Sequence, residues 1–141
     1  AAARGDGPLV HLVILMLGSN DLKQRFSLSA FDIASGAERL VRIIQASQAG
    51  PDEGAPQILL ISPARVHATR VDWGGMFEGA QAKSAELATY YQRVSEEFGT
   101  AFLDAAPLIA PSPVDGLHLD AEGHRTLGEA VVRAVQAIFA G

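Results

Sequence analysis

Leu9-Val10-His11-Leu12-Val13-Ile14-Leu15-Met16-Leu17, running into Gly18-Ser19-Asn20-Asp21, is the stretch on which the fold turns. Only His11 interrupts a run rich in branched side chains, and Gly18 ends it. A strand with helices over both faces has no solvent side to alternate with, so such a run predicts a strand buried on both faces of a parallel sheet.

Downstream, Ile33, Ala37, Leu40, Val41 and Ile44 recur at helical spacing and predict a helix from about Ser29 to Gln48, with Gly50-Pro51 as its stop signal. Gln57 to Ser62 (Gln-Ile-Leu-Leu-Ile-Ser) predicts a second buried strand closed by Pro63. Ala64 to Gly79 has no period and is expected to form a long loop, and such loops often build sites. Leu87, Tyr91, Val94 and Phe98 mark one face of a second helix that Gly99 ends, and Ala101 to Asp104 predicts a short third strand. Asp120 is placed to cap a last helix whose core face is Leu127, Val131, Ala134 and Ile138. Strand and crossover helix alternating in this way give an α/β class with a parallel sheet, in one domain over residues 1–141, and put the chemistry at the carboxyl ends of the strands.

The 141 residues are 48% apolar and 19% charged, enough to bury one core. Net charge is −5, and the Lys and Arg side chains are scattered, which argues against nucleic acid as a partner. Without cysteine there is no disulfide, no thiolate zinc site and no cysteine nucleophile. The longest unbroken apolar run, Leu12 to Leu17, is too short to span a bilayer, so no membrane association is expected. The opening Ala-Ala-Ala-Arg-Gly-Asp-Gly does not read as a signal peptide, but the sequence does not begin with Met, which leaves the compartment open. His11, His67 and His124 show no metal-site spacing and read as structural or surface residues, so neither metal nor organic cofactor is expected.

Two short motifs fall at strand ends. In Gly18-Ser19-Asn20-Asp21, a side-chain amide on a tight turn is suited to donate to charge developing on a carbonyl oxygen. In Asp115-Gly116-Leu117-His118, a carboxylate three residues before a histidine can hold one ring nitrogen and leave the other as a general base. Either motif alone is more often a plain turn or a surface pair. Together, after the first and third strands of one sheet, both face the same edge.

This combination resembles the SGNH hydrolase family of GDSL-like serine esterases. Gly18 to Asp21 matches the family's Gly-x-Asn-Asp block and Asp115 to His118 its Asp-x-x-His block. Met16-Leu17-Gly18-Ser19-Asn20-Asp21-Leu22-Lys23, and Trp73 to Tyr91 with Phe77-Glu78-Gly79, Lys83, Glu86-Leu87-Ala88 and Tyr91, are similar to the bacterial aryl esterase and acyltransferase subgroup. The resemblance implies a flavodoxin-like three-layer α/β/α fold with sheet order 2-1-3-4-5, of which this chain supplies the last three strands and their helices. It also implies hydrolysis or transfer of short acyl groups from aryl or alkyl esters through an acyl-serine. In those roles His118 is the base, Asp115 orients it and Asn20 holds the oxyanion, while Gly18 and Ser19 on the same turn are expected to bind substrate and Asp21 braces the turn. Trp73, Met76 and Phe77 either wall an acyl or alcohol pocket or pack against the domain or another subunit.

The family's Gly-Asp-Ser block, which bears the nucleophile, is not found. Arg4-Gly5-Asp6-Gly7 has glycine in the serine position and stands directly before the strand matching the family's third. Ser19 and Ser62 lack the strand-to-helix turn that exposes an attacking hydroxyl. With strands three, four and five alone, Leu9 to Leu17 would be an open edge without a protecting charge or proline in its apolar run, so the sequence is expected to need a covering partner. The expected partners are therefore the nucleophile-bearing N-terminal part of the same enzyme, a small-molecule ester and further copies of the chain. An inactive binding or assembly module on the same scaffold stays open, and a flavodoxin-like nucleotide or receiver domain is disfavoured by the lack of a Gly-rich phosphate loop.

Overall fold

The computed structural model describes residues 9–68, 71 and 73–140; Arg4-Gly5-Asp6-Gly7 lies outside them. Among the described residues, β1 (Leu12–Leu15), β2 (Gln57–Ser62) and β3 (Ala101–Asp104) form a parallel sheet in the order β1-β2-β3. The register sets Leu12 beside Gln57 and Leu15 beside Leu60, then Leu60 beside Phe102 and Ser62 beside Asp104. Helices α1 (Ala30–Gln45), α2 (Ala80–Phe98) and α3 (Ala121–Ala140) complete the three layers.

The alternation of side chains along β2 separates two cores. Ile58 and Leu60 join Leu15 beneath α1 and α2, where Ile33, Ala37, Val41, Leu87, Tyr91 and Val94 close the packing. Leu59 and Ile61 face the other way with Ala105 and Ile109, under the α3 stripe of Leu127, Val131, Ala134 and Ile138. β2 is thus covered on both faces, which accounts for its unbroken apolar run.

Local chemistry sets the helix ends. Ser29 and Asp32 form a reciprocal capping box, the Asp32 N–H donating to Ser29 Oγ at 3.1 Å and the Ser29 N–H to Asp32 Oδ2 at 2.9 Å. The helix stops short of the expected Gln48, because the N–H and the hydroxyl of Ser47 both turn back to the Ile44 carbonyl. Gly99, with φ 64°, caps α2, and Asp120 Oδ1 accepts from the Gly123 N–H at 2.8 Å to open α3 as expected.

β1 departs from its expected form in two ways. It covers Leu12–Leu15 rather than Leu9 to Leu17: its pairing begins where β2 begins, at Gln57, and ends at Leu60, two residues before β2 does. It is also not buried on both faces: Ile14 is 47% exposed and Leu17 54%. Among the described residues β1 has a neighbouring strand on one side only, and α3 lies over β2 and β3. His11, expected within a buried strand, precedes β1 and is exposed. No helix among the described residues is long and apolar enough to cross a membrane.

Candidate active site

At the carboxyl end of β1 the chain enters its tight turn at Gly18, whose φ of 118° favours glycine. A Cβ there would collide with the Tyr91 hydroxyl. The Asp21 N–H donates to the Gly18 carbonyl at 3.1 Å, and a short 3-10 turn over Asn20–Leu22 follows. Leu22 is fully buried and anchors this turn in the core. Gly18 is therefore buried beneath the turn, Ser19 is half-buried and Asn20 is exposed. Among the described residues the Asn20 amide has no hydrogen-bond partner, which leaves its N–H groups available as donors.

The second motif lies on the loop between β3 and α3. Asp115 Oδ2 lies 2.7 Å from His118 Nδ1, while Asp115 Oδ1 accepts the N–H groups of Leu117 and His118, each at 2.9 Å. The Leu117 N–H, then the His118 ring and the His118 N–H, hold the carboxyl down at about 2, so it stays an ionised acceptor. The loop braces itself through Ser112 N–H to His118 O at 2.7 Å and Gly116 N–H to Ser112 O at 2.8 Å. With Nδ1 engaged, the His118 side chain is 69% exposed and its second nitrogen is unpaired among the described residues. An imidazole oriented through one nitrogen and open at the other is the geometry of a general base.

The loop after β2 is tied to this pair. Trp73 Nε1 donates to Asp115 O at 3.2 Å, and the His67 N–H donates to Gly116 O at 2.9 Å. The Trp73 ring lies 6.3 Å from that of His118 and 5.5 Å, edge-on, from Phe77. Beside Asp115 these residues wall a cavity of about 450 Å³, lined by Val66, His67, Val71, Trp73, Phe77 and Leu117 among others. Of the expected pocket residues, Trp73 and Phe77 line it and Met76 does not; the Met76 carbonyl instead accepts the Gln24 N–H at 2.7 Å.

Sequence reading missed Val66, His67, Val71 and Leu117 as lining residues. All lie on aperiodic segments, where no repeat shows which way a side chain points; only the unusual length of the loop marked the region. The structure gathers Asp115, His118, Trp73 and Phe77 at one place, and groups Gly18, Ser19 and Asn20 on the β1 turn. The two groups are linked through the Gln24 to Met76 bond and through Lys23 Nζ, 5.9 Å from the Phe77 ring centroid. Ser62 is buried, with its hydroxyl unpartnered among the described residues. No group of three His, Cys, Asp or Glu among the described residues could hold a metal ion.

A model of the GDSL-like lipase/acylhydrolase family matches residues 1–126. Among solved structures, a carbohydrate acetylesterase from Sinorhizobium meliloti is 34% identical, with a TM-score of 0.85 over 90% of this chain and 60% of that one. The M. smegmatis aryl esterase is 35% identical, with a TM-score of 0.83 over 89% of this chain and 60% of the other. An acetylxylan esterase from Geobacillus stearothermophilus, at 16% identity and a TM-score of 0.62, shares the fold, this chain covering 59% of its length. The chain thus spans about 60% of the length of these structures. No curated protein sequence matches it.

Proposed function

The chain belongs to the GDSL-like lipase/acylhydrolase family, and on that premise we propose that it is the acid/base and oxyanion part of a serine esterase or acyltransferase acting on short-chain aryl or alkyl carboxylic esters. The nucleophilic serine is supplied from outside these residues, by a segment that lies along the free edge of β1. His118 takes the proton of that serine as its oxygen attacks the ester carbonyl. Asp115 orients the ring and stabilises the imidazolium that forms, and the Asn20 amide donates to the oxyanion. His118 then returns the proton to the departing alcohol. Water or a second alcohol, deprotonated by the same ring, releases the acyl group.

The observation that carries this reading is the 2.7 Å contact between His118 Nδ1 and Asp115 Oδ2 beside an exposed, unpaired second ring nitrogen. The aromatic cavity adjoining Asp115 supports an acyl or aryl group as its occupant. Two of the similar structures, a carbohydrate acetylesterase and an aryl esterase, are consistent with small acyl groups.

The test treats the native preparation with a fluorophosphonate probe, takes denaturing masses of every polypeptide present, and measures hydrolysis of an aryl acetate. A labelled serine and a loss of roughly 10⁴- to 10⁶-fold in turnover for His118→Ala are expected. No label anywhere, or unchanged turnover in the variant, overturns the reading.

A further inference from the structure

Among the described residues the exposed Asn20 amide has no partner, so its position is inherited from the backbone of the turn that carries it. Two side chains of α2 grip that backbone on either side. Tyr91 Oη donates to the Leu17 carbonyl at 2.7 Å, immediately before Gly18, and Lys83 Nζ donates to the Leu22 carbonyl at 3.2 Å, at the end of the 3-10 turn. Lys83, Leu87 and Tyr91 are spaced i, i+4, i+8 on one helix face, about 12 Å from end to end. Leu87, midway between them, is buried in the same core as Leu22.

We propose that Tyr91 and Lys83 are positioning residues that clamp the two ends of the Gly18–Leu22 turn and so preset the oxyanion donor Asn20; the catalytic half of this inference rests on the esterase reading above. Three further observations support the clamp. Tyr91 is 1% exposed, so its bond to Leu17 is shielded from competing water. Burial, and secondarily the charge of Asp21, push the Tyr91 hydroxyl well above its ordinary value, so it remains a donor throughout the working range of pH. Gly18 leaves the space that the Tyr91 hydroxyl needs to reach past it. Oxyanion stabilisation depends on donors fixed in advance, because a donor that must reorganise during the reaction gives back part of its benefit.

The test has two readouts. In the 141-residue protein, amide hydrogen exchange is followed at Asp21 and Lys23, whose N–H groups close the turn onto Gly18 and Asn20, and at Leu60 in the core strand. Tyr91→Phe and Lys83→Met are each expected to accelerate Asp21 and Lys23 roughly tenfold, with Leu60 held within about twofold. Unchanged exchange in the turn, or equal acceleration at Leu60, overturns the clamp. In aryl acetate hydrolysis by the native preparation, which carries the serine-bearing segment, Tyr91→Phe is expected to lower kcat about tenfold with KM within about twofold, and a raised KM with unchanged kcat overturns the positioning role. If the wild-type form of that serine-bearing preparation shows no turnover, the esterase reading fails, while exchange alone still decides whether α2 holds the turn.

Discussion

Asp115 receives hydrogen bonds from two backbone N–H groups and lies against one imidazole nitrogen, all from residues two or three positions ahead of it. Because the imidazole contact is local, the Asp-x-x-His spacing made it legible in the sequence, whereas the two backbone donors depend on the loop's conformation and were not read from it. The same contacts make a titration prediction. A carboxyl depressed to about 2 adds stability that is fully present above its unfolded value near 4 and is lost as pH falls through about 2. NMR titration of the Asp115 carboxyl carbon is expected to show a midpoint near 2 in the native protein. In His118→Ala the midpoint rises without reaching the ordinary value, because the Leu117 N–H, the largest cause, is untouched; full return to that value would show that the imidazole dominates. Gly18 combines a local constraint, its φ, with a distant one, the Tyr91 hydroxyl. Gly18→Ala meets both an unfavourable φ and the Tyr91 hydroxyl, so a loss of about 1–3 kcal/mol in urea unfolding is expected, and an unchanged midpoint would contradict the packing. Val66, His67 and Val71 could not be read in this way, since their side chains are aimed by Trp73 and His67 bonding to a loop more than forty residues away.

The elements were legible in proportion to how much of their environment the chain itself supplies. β2 lies between β1 and β3 and under helices on both faces, so its six residues matched the expected bounds. β3 matched as well, and each helix came out on its expected apolar face. β1 was misjudged because an apolar run reports what a strand is suited to, whereas pairing and burial depend on what lies beside it. At α1 the periodic residues were right and the end was not, because Ser47 intercepts the Ile44 carbonyl in a bond that leaves no periodic trace. Two stability predictions follow from this layer. Ser29→Ala removes the hydroxyl that accepts the Asp32 N–H and should cost about 1 kcal/mol by chemical denaturation. Leu60→Ala, at a fully buried position between α1, α2 and the sheet, should cost about 2–5 kcal/mol, and a loss below that of Ser29→Ala would place the core elsewhere.

Over the whole molecule, burial is uneven, and the β1 edge and α3 are among the places where it is least. Among the described residues the outer edge of β1 has no strand beside it, Leu9, Val10, Ile14 and Leu17 are all exposed, and within α3 only Ala130 is buried, with Val132 and Phe139 open to solvent. An unpaired strand edge flanked by large apolar side chains recruits another chain, because both its backbone groups and its side chains gain from being covered. The family neighbours are longer than this chain, which spans about 60% of their length. The same surface is therefore where the nucleophile-bearing segment of the proposed enzyme would lie. By itself, the 141-residue protein is expected to self-associate in sedimentation velocity, with weight-average mass rising with concentration. Ile14→Lys places a charge on the edge strand, as natural edge strands do, at a side chain that is 47% exposed. The substitution should therefore suppress association while shifting Tm by only a degree or two, within the ~0.5 kcal/mol typical of surface changes. Association that persists unchanged in Ile14→Lys would move the contact from the β1 edge to α3, and a large fall in Tm would mean that Ile14 is covered in solution by part of the chain itself.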